Sequence, residues 1–413
     1  MNMIRRDDYL KQLISAKSNG LIKIITGIRR CGKSFLLDPI FTDYLKGSDV
    51  DENHIIKINF DERKNARYLN PDTLDSYLRK KVEDDKTYYF LLDEIQLVDN
   101  FESVLNGLLH LKNVDIYVTG SNSKFLSSDI VTEFRGRGTQ IKVYPLSFKE
   151  YLSTFNGNKE EAFASYIIYG GMPQICSLKL EKEKAKYLKE LFDLTYTKDI
   201  IDRNNIKKDD IFESLIDVLA SSIGSLTNPS KITNTFISNG YKGLSKNTII
   251  QYLSYLLDSF LVEKVMRFDI KGKKYISSPS KYYFADVGLR NARLNFRQLE
   301  ENHIMENVIY LELARQGFNV DVGVVEINES NKRKQLEIDF VCNQGNKRYY
   351  IQSALNLETR EKTIQEVRPF INISDGFKKV IIVKGEVTPW YTEEGILVVG
   401  MINFLTNSSC LDF

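Results

Sequence analysis

Before about residue 150 the chain repeats one pattern, a short β-rich run followed by a stretch with helical spacing of its apolar residues. The runs fall at 21–26, 54–61, 87–94, 114–121 and 139–146. Four of them are almost unbroken apolar sequence, as expected of strands buried on both faces, and their alternation with helices predicts βαβ units and a parallel sheet. From about 149 to 290 the periodicity turns helical and rich in Leu, Ile and Tyr, with breaks at 170–173 and around 224–229. A second α/β pattern follows, with a helix at 304–316 and strands near 318–328, 335–343, 348–354 and 379–384. The predicted fold class is α/β in three parts: a parallel-sheet domain over 1–155, a helical region over 156–298 and a second α/β domain over 299–413.

Composition narrows the function. With 413 residues, 42% hydrophobic and 27% charged, the chain has room for two or three cores. Its net charge of +2, from 57 basic and 55 acidic residues, provides no long-range field for collecting DNA or an acidic membrane, so any nucleic-acid contact has to come from a local patch. No apolar run approaches the roughly 18 residues that span a bilayer; the run at 395–405 suits a buried strand and its exit. Residues 1–10 carry Arg5, Arg6, Asp7 and Asp8 and read as no secretory signal. The four cysteines and three histidines lack pair spacing, which excludes a zinc-finger or disulfide framework and leads to the expectation of a reduced, cytoplasmic protein without a membrane partner.

The chemistry begins at GIRRCGKS, residues 27–34, directly after the first predicted strand. Gly27, Gly32, Lys33 and Ser34 fill the G-x-x-x-x-G-K-[ST] pattern. The glycines let backbone N–H groups turn onto phosphates, Lys33 reaches the β- and γ-phosphates, and the Ser34 hydroxyl binds Mg²⁺. The nucleotide-contacting set is Gly27, Arg30, Cys31, Gly32, Lys33, Ser34 and Phe35; Arg29 and Arg30 occupy variable loop positions of the kind that face solvent, and Cys31 suits packing. YYFLLDE, residues 88–94, is a buried strand ending in two acids at the edge where parallel sheets bind ligands. Asp93 is the expected Mg²⁺ partner and Glu94 the expected base or water-positioner. IYVTGSNS, residues 116–123, offers Ser121 or Asn122 to hold the attacking water or the γ-phosphate, and FRGRG offers Arg135 and Arg137 as arginines acting in trans. ATP and Mg²⁺ are the expected cofactors.

GIRRCGKS, YYFLLDE, VTGSNS, FRGRGTQIKVYPLSFKEYL and YGGMPQ together resemble the prokaryotic AAA+ ATPases that carry a C-terminal domain of unknown function, over nearly the whole chain. The resemblance implies Walker roles for Lys33, Ser34, Asp93 and Glu94, a sensor role for Ser121 or Asn122, and a finger role for Arg137, singled out by the Gly-Arg before the fifth strand. It also makes a homo-oligomer an expected partner state. SKYYFADVGLRNA, residues 280–292, resembles the family's link into the last domain.

In the middle region, a helix capped by Ser245 and carrying Ile249, Ile250, Leu253, Leu256 and Leu257 follows a shorter helix and a turn. Two strands at 261–268 and 274–276 then flank DIKGKK, making a winged helix. Lys246 and Asn247 begin its recognition helix, and Lys271, Lys273 and Lys274 form its wing tip. Such a module serves DNA or a protein partner.

The last domain, with Glu306 on a helix, Asp339 in EIDFV and Gln352 in YYIQSA, resembles the restriction-endonuclease-like fold. Active members pair Asp with Glu and place a lysine two residues beyond. Here those positions hold Gln352 and Ala354, so the site is expected not to cleave; Lys362, eight residues beyond Ala354, is the candidate to take over the lysine's role. The sequence thus predicts an ATPase coupled to a nuclease-like effector half, with a slow nucleotide-gated binding switch and an ATP-dependent nuclease as alternatives.

Overall fold

The computed structural model describes residues 3–120, 134, 136–241 and 243–412, and of Thr195 the backbone alone. Two compact units emerge: Met1–Pro145 with Asp258–Phe260, and Leu146–Leu257 with Leu261–Phe413.

In the first unit the five apolar runs form β1 (Ile22–Thr26), β2 (Ile55–Asn59), β3 (Tyr88–Asp93), β4 (Val114–Thr119) and β5 (Gly138–Lys142), in the order β2-β3-β4-β1-β5. All four pairings are parallel. β1, β3 and β4 lie inside the sheet and are buried almost throughout, which is why they read as unbroken apolar sequence. Helices Pro71–Lys80 and Phe101–Leu108 cover one face through Leu74, Leu78, Phe101 and Leu105, packed with Ile22, Ile24, Phe90 and Leu92. Asn70 starts the first of these by accepting the Thr73 N–H at 3.0 Å. The order of the sheet sets the C-terminal ends of β1, β3 and β4 side by side.

The second unit holds the helical region together with a sheet ordered β12-β13-β11-β10-β9-β8-β6-β7. Its strands are β6 (Val262–Asp269), β7 (Lys274–Phe284), β8 (Asn319–Glu329), β9 (Lys332–Gln344), β10 (Lys347–Ala354), β11 (Lys378–Val383), β12 (Trp390–Tyr391) and β13 (Leu397–Gly400). The sequence placed a domain boundary at 298/299, whereas here the middle and last parts are continuous. Arg267, Phe268 and Asp269 of β6 pair in parallel with Val322, Gly323 and Val324 of β8, so the hairpin read as a wing is built into the last domain's sheet. Two separated motifs also meet in this unit, where the Asp286 carboxylate accepts the Gly171 N–H at 2.7 Å and the Leu289 N–H at 3.0 Å. Among the described residues no helix is long and apolar enough to cross a membrane.

Candidate functional site

The loop after β1 owes its shape to two glycines. Gly27 has φ 144°, and a Cβ there would lie 2.1 Å from the Val143 carbonyl oxygen; Gly32, at φ 101°, sits where the following helix begins. Lys33 is buried, and its ammonium donates to the carbonyls of Gly27 and Ile28 at 3.0 Å each, which folds the side chain over its own loop. Arg29, Arg30, Ser34 and Phe35 are exposed along the rim. Cys31 is fully buried, and its thiol packs 3.4 Å from the Val143 carbonyl oxygen. The helix expected after the loop is interrupted: Lys33–Phe35 begins it, Asp38 takes an extended backbone before Pro39, and Thr42–Gly47 resumes it.

β3 delivers Asp93 to the same end of the sheet. Asp93 is 8% exposed, and its carboxylate accepts the Thr119 hydroxyl at 2.5 Å, with the Ser34 hydroxyl as a second donor. Burial pushes the Asp93 carboxyl above the ordinary range, against the pull of those two hydroxyls. Glu94 adopts the left-handed backbone (φ 56°, ψ 43°), which turns the chain immediately after the strand, and its N–H donates to Thr119 Oγ1 at 2.9 Å. The Gln96 amide, itself buried, donates to the Glu94 carboxylate. The structure therefore brings Lys33, Ser34, Asp93 and Glu94 together.

Thr119, which sequence reading did not single out, joins them; that reading named Ser121 or Asn122 to hold the attacking water or the γ-phosphate. Those two residues lie outside the described ones, as does Arg135. No sequence signal marked Thr119; its place at the end of β4, beside β3, is set by the sheet. Arg137 is exposed at the start of β5, 3.4 Å from Asn106 Oδ1.

The second unit gathers a separate cluster. Glu306 comes from helix Glu301–Arg315, Glu337 and Asp339 from one face of β9, and Gln352 from β10, where its carbonyl accepts the Asp339 N–H at 3.3 Å. Asp339 also accepts the Ser353 N–H at 2.8 Å. Sequence reading took Glu306 and Asp339 as residual polar groups; in the structure they share the ammonium of Lys281, on β7. Lys362 is exposed, and its ammonium donates to Asn356 Oδ1 at 3.1 Å. The signal for Lys281 was a lone lysine before the buried run Tyr282–Ala285. Burial opposes its charge, but Glu306, Asp339 and Glu337 outweigh that and hold the ammonium protonated beyond the usual lysine range. Burial, with the charge of Glu306, pushes the Asp339 carboxyl up to about 7.

In the region read as a winged helix, Ser245 caps helix Lys246–Asp258 by accepting the Thr248 N–H at 3.1 Å, and Lys246 and Asn247 are exposed. Lys271, however, turns back to donate to the Glu326 carbonyl on β8 at 2.8 Å, so this lysine of the expected wing tip is tied to the sheet.

Residues 19–152 match the model of an AAA domain, and residues 160–300 match that of a domain of unknown function. A Haemophilus influenzae protein is 34% identical over 409 residues, covering 98% of this chain and 98% of its own. The chain belongs to this family of AAA-domain proteins. A Methanocaldococcus jannaschii protein is 31% identical over 357 residues, 84% of this chain and 76% of that one. The matched domain of unknown function covers the middle of the AAA protein, whereas the resemblance drawn from sequence motifs assigned that description to 299–413. Among solved structures, AMPPCP-bound DnaA from Aquifex aeolicus aligns at 17% identity over 61% of this chain and 86% of that one, with a TM-score of 0.30, too distant to carry any argument about function.

Proposed function

We propose that the chain is a Mg²⁺-ATP-dependent ATPase whose nucleotide state is coupled to the second unit. The observation that supports this most is the convergence of Lys33, Ser34, Asp93, Thr119 and Glu94 at one end of a parallel sheet. The donor set fits the cofactor: a lysine charge for phosphate oxygens, and a serine hydroxyl already beside a carboxylate, hard oxygen donors of the kind Mg²⁺ takes. Mg²⁺-ATP, when bound, supplies the transferable γ-phosphoryl group. Lys33, held here by the carbonyls of Gly27 and Ile28, would turn to phosphate oxygens, and Ser34 with Asp93 would hold the metal. Glu94 orients and deprotonates the attacking water, with Thr119 fixing its backbone and Gln96 its carboxylate. Arg137, exposed on this unit, serves a neighbouring copy's site in trans, which makes the active form an oligomer.

In the second unit the winged-helix region docks a protein partner in preference to DNA. Ile237 and Ile250 are exposed on the two helices of the motif, and Lys271 is tied to β8. The last domain is nuclease-like in its acid positions, without cleavage.

Replacing each acid in turn tests the ATPase reading. Asp93→Asn is expected to weaken Mg²⁺-dependent binding of a labelled ATP analogue, while Glu94→Gln retains binding and loses phosphate release, because a water-positioner is needed only in the transition state. Phosphate release by Glu94→Gln at the wild-type rate would remove the basis for the assignment. Tight ATP retention with little turnover in the wild type would instead favour the slow switch.

A further inference from the structure

Lys281 reaches the acid cluster from outside the stretch that carries the acids. It lies on β7, within the residues matched to the domain of unknown function, whereas Glu306, Glu337 and Asp339 all follow that match. Its ammonium is 2.7 Å from Glu306 Oε1, 2.8 Å from Glu337 Oε1 and 3.6 Å from Asp339 Oδ1. The lysine side chain is 3% exposed, Glu306 10% and Asp339 12%. Tyr283, two residues on and so on the same face of β7, donates its hydroxyl to the Glu306 oxygen that Lys281 also contacts.

An ammonium has three N–H donors and no acceptor; here it lies within hydrogen-bond distance of Glu306 and Glu337 and makes a longer ionic contact with Asp339. Carboxylate oxygens converging from a helix and a strand on one positive centre are also what a hard divalent cation requires, with shorter contacts of about 2.0–2.6 Å. Among the described residues no group of His, Cys, Asp and Glu is arranged to hold a metal ion; the three acids close on Lys281 instead.

We infer that Lys281 is the built-in cation of this cluster, its ammonium occupying the place among Glu306, Glu337 and Asp339 that a divalent metal would take. The second unit therefore holds a latent metal site plugged by its own chain. The plug also ties β7 to helix Glu301–Arg315 and to β9, joining the middle region to the last domain through one charge. A single positive charge stands against three carboxylates. Removing the ammonium while leaving the acids creates both a cavity and an unmet demand for positive charge. Nothing in this inference depends on nucleotide hydrolysis in the first unit.

The test uses the full chain without nucleotide and Mn²⁺ alone as the probe. Binding is measured by calorimetry and by the shift of the thermal midpoint, and only Mn²⁺ that disappears on Asp339→Asn is assigned to the cluster. Wild type is expected to bind no such ion. Lys281→Met is expected to gain about one per chain and to recover, with Mn²⁺, much of the midpoint lost on substitution. If Lys281→Met does not fold in metal-free buffer, millimolar Mn²⁺ is expected to restore folding, and Lys281→Ala is expected to behave alike. Asp339-dependent Mn²⁺ binding by the wild type would overturn the inference. So would the failure of both variants to gain binding or rescue.

Discussion

Thr119→Val replaces a hydroxyl by a methyl of nearly the same shape and so isolates the hydrogen bonds that Thr119 makes. In the structure that hydroxyl donates to Asp93 at 2.5 Å and accepts from the Glu94 N–H at 2.9 Å. The lost bond to a charged group is worth about 1.5–3 kcal/mol, and the amide left without an acceptor costs about 1–3 kcal/mol. Asp93 keeps its Ser34 donor and Glu94 is only half-buried, so both terms fall toward their lower ends. The expected loss of stability is about 2.5–4 kcal/mol. Thr119→Ser keeps the hydroxyl and loses only a buried methyl, for about 1 kcal/mol. The assay is urea denaturation followed by circular dichroism, with hydrogen exchange of the first unit's peptides assigning the transition. Loss of Asp93 alignment should also weaken Mg²⁺-dependent binding of an ATP analogue by about tenfold, which corresponds to 1.4 kcal/mol, while binding measured in EDTA changes little. A Thr119→Val protein within about 0.5 kcal/mol of Thr119→Ser, with unchanged Mg²⁺ dependence, would refute the reasoning.

Arg137→Ala is expected to bind ATP normally and hydrolyse it poorly, and mixing it with Glu94→Gln should restore part of the turnover, since one mixed interface then carries both groups; no recovery in oligomers that demonstrably form counts against a trans role. Reversing Lys271, Lys273 and Lys274 to glutamate should leave any duplex-DNA binding unchanged if the winged region docks protein, whereas a salt-sensitive affinity lost on reversal would return DNA to first place. Stability should also carry a signature of Asp339. Its carboxyl is raised from 3.8 to about 7, so its contribution is fully present below about pH 4 and is lost as pH rises through 7. The wild-type thermal midpoint minus that of Asp339→Asn should therefore fall between pH 4 and 8 and then level off; a flat difference would mean that Asp339 ionises normally.

The sequence by itself determined whatever rests on near neighbours. Burial of a strand on both faces demands continuous apolar residues, so β1 to β5 were legible, as was the alternation that makes their sheet parallel. A phosphate-binding loop is contiguous, and Gly27, Gly32, Lys33 and Ser34 announce it because the turn and the charge must come from those positions. Ser245 was legible as a cap for the same local reason. Tertiary structure decided the rest, because hydrogen-bond partners far apart in sequence leave no period to read. Thr119 reaches Asp93 only because β3 and β4 lie side by side, and nothing in VTGSNS distinguishes its hydroxyl from those of its neighbours. The hairpin at β6 and β7 has the local pattern of a free wing, yet three residues of parallel pairing with β8, more than fifty positions away, absorb it into a larger sheet. Lys281 shows this most directly: a lysine beside a buried strand has no favourable reading until the fold surrounds it with Glu306, Glu337 and Asp339, since a charge can stay buried only where opposite charges have been brought to meet it.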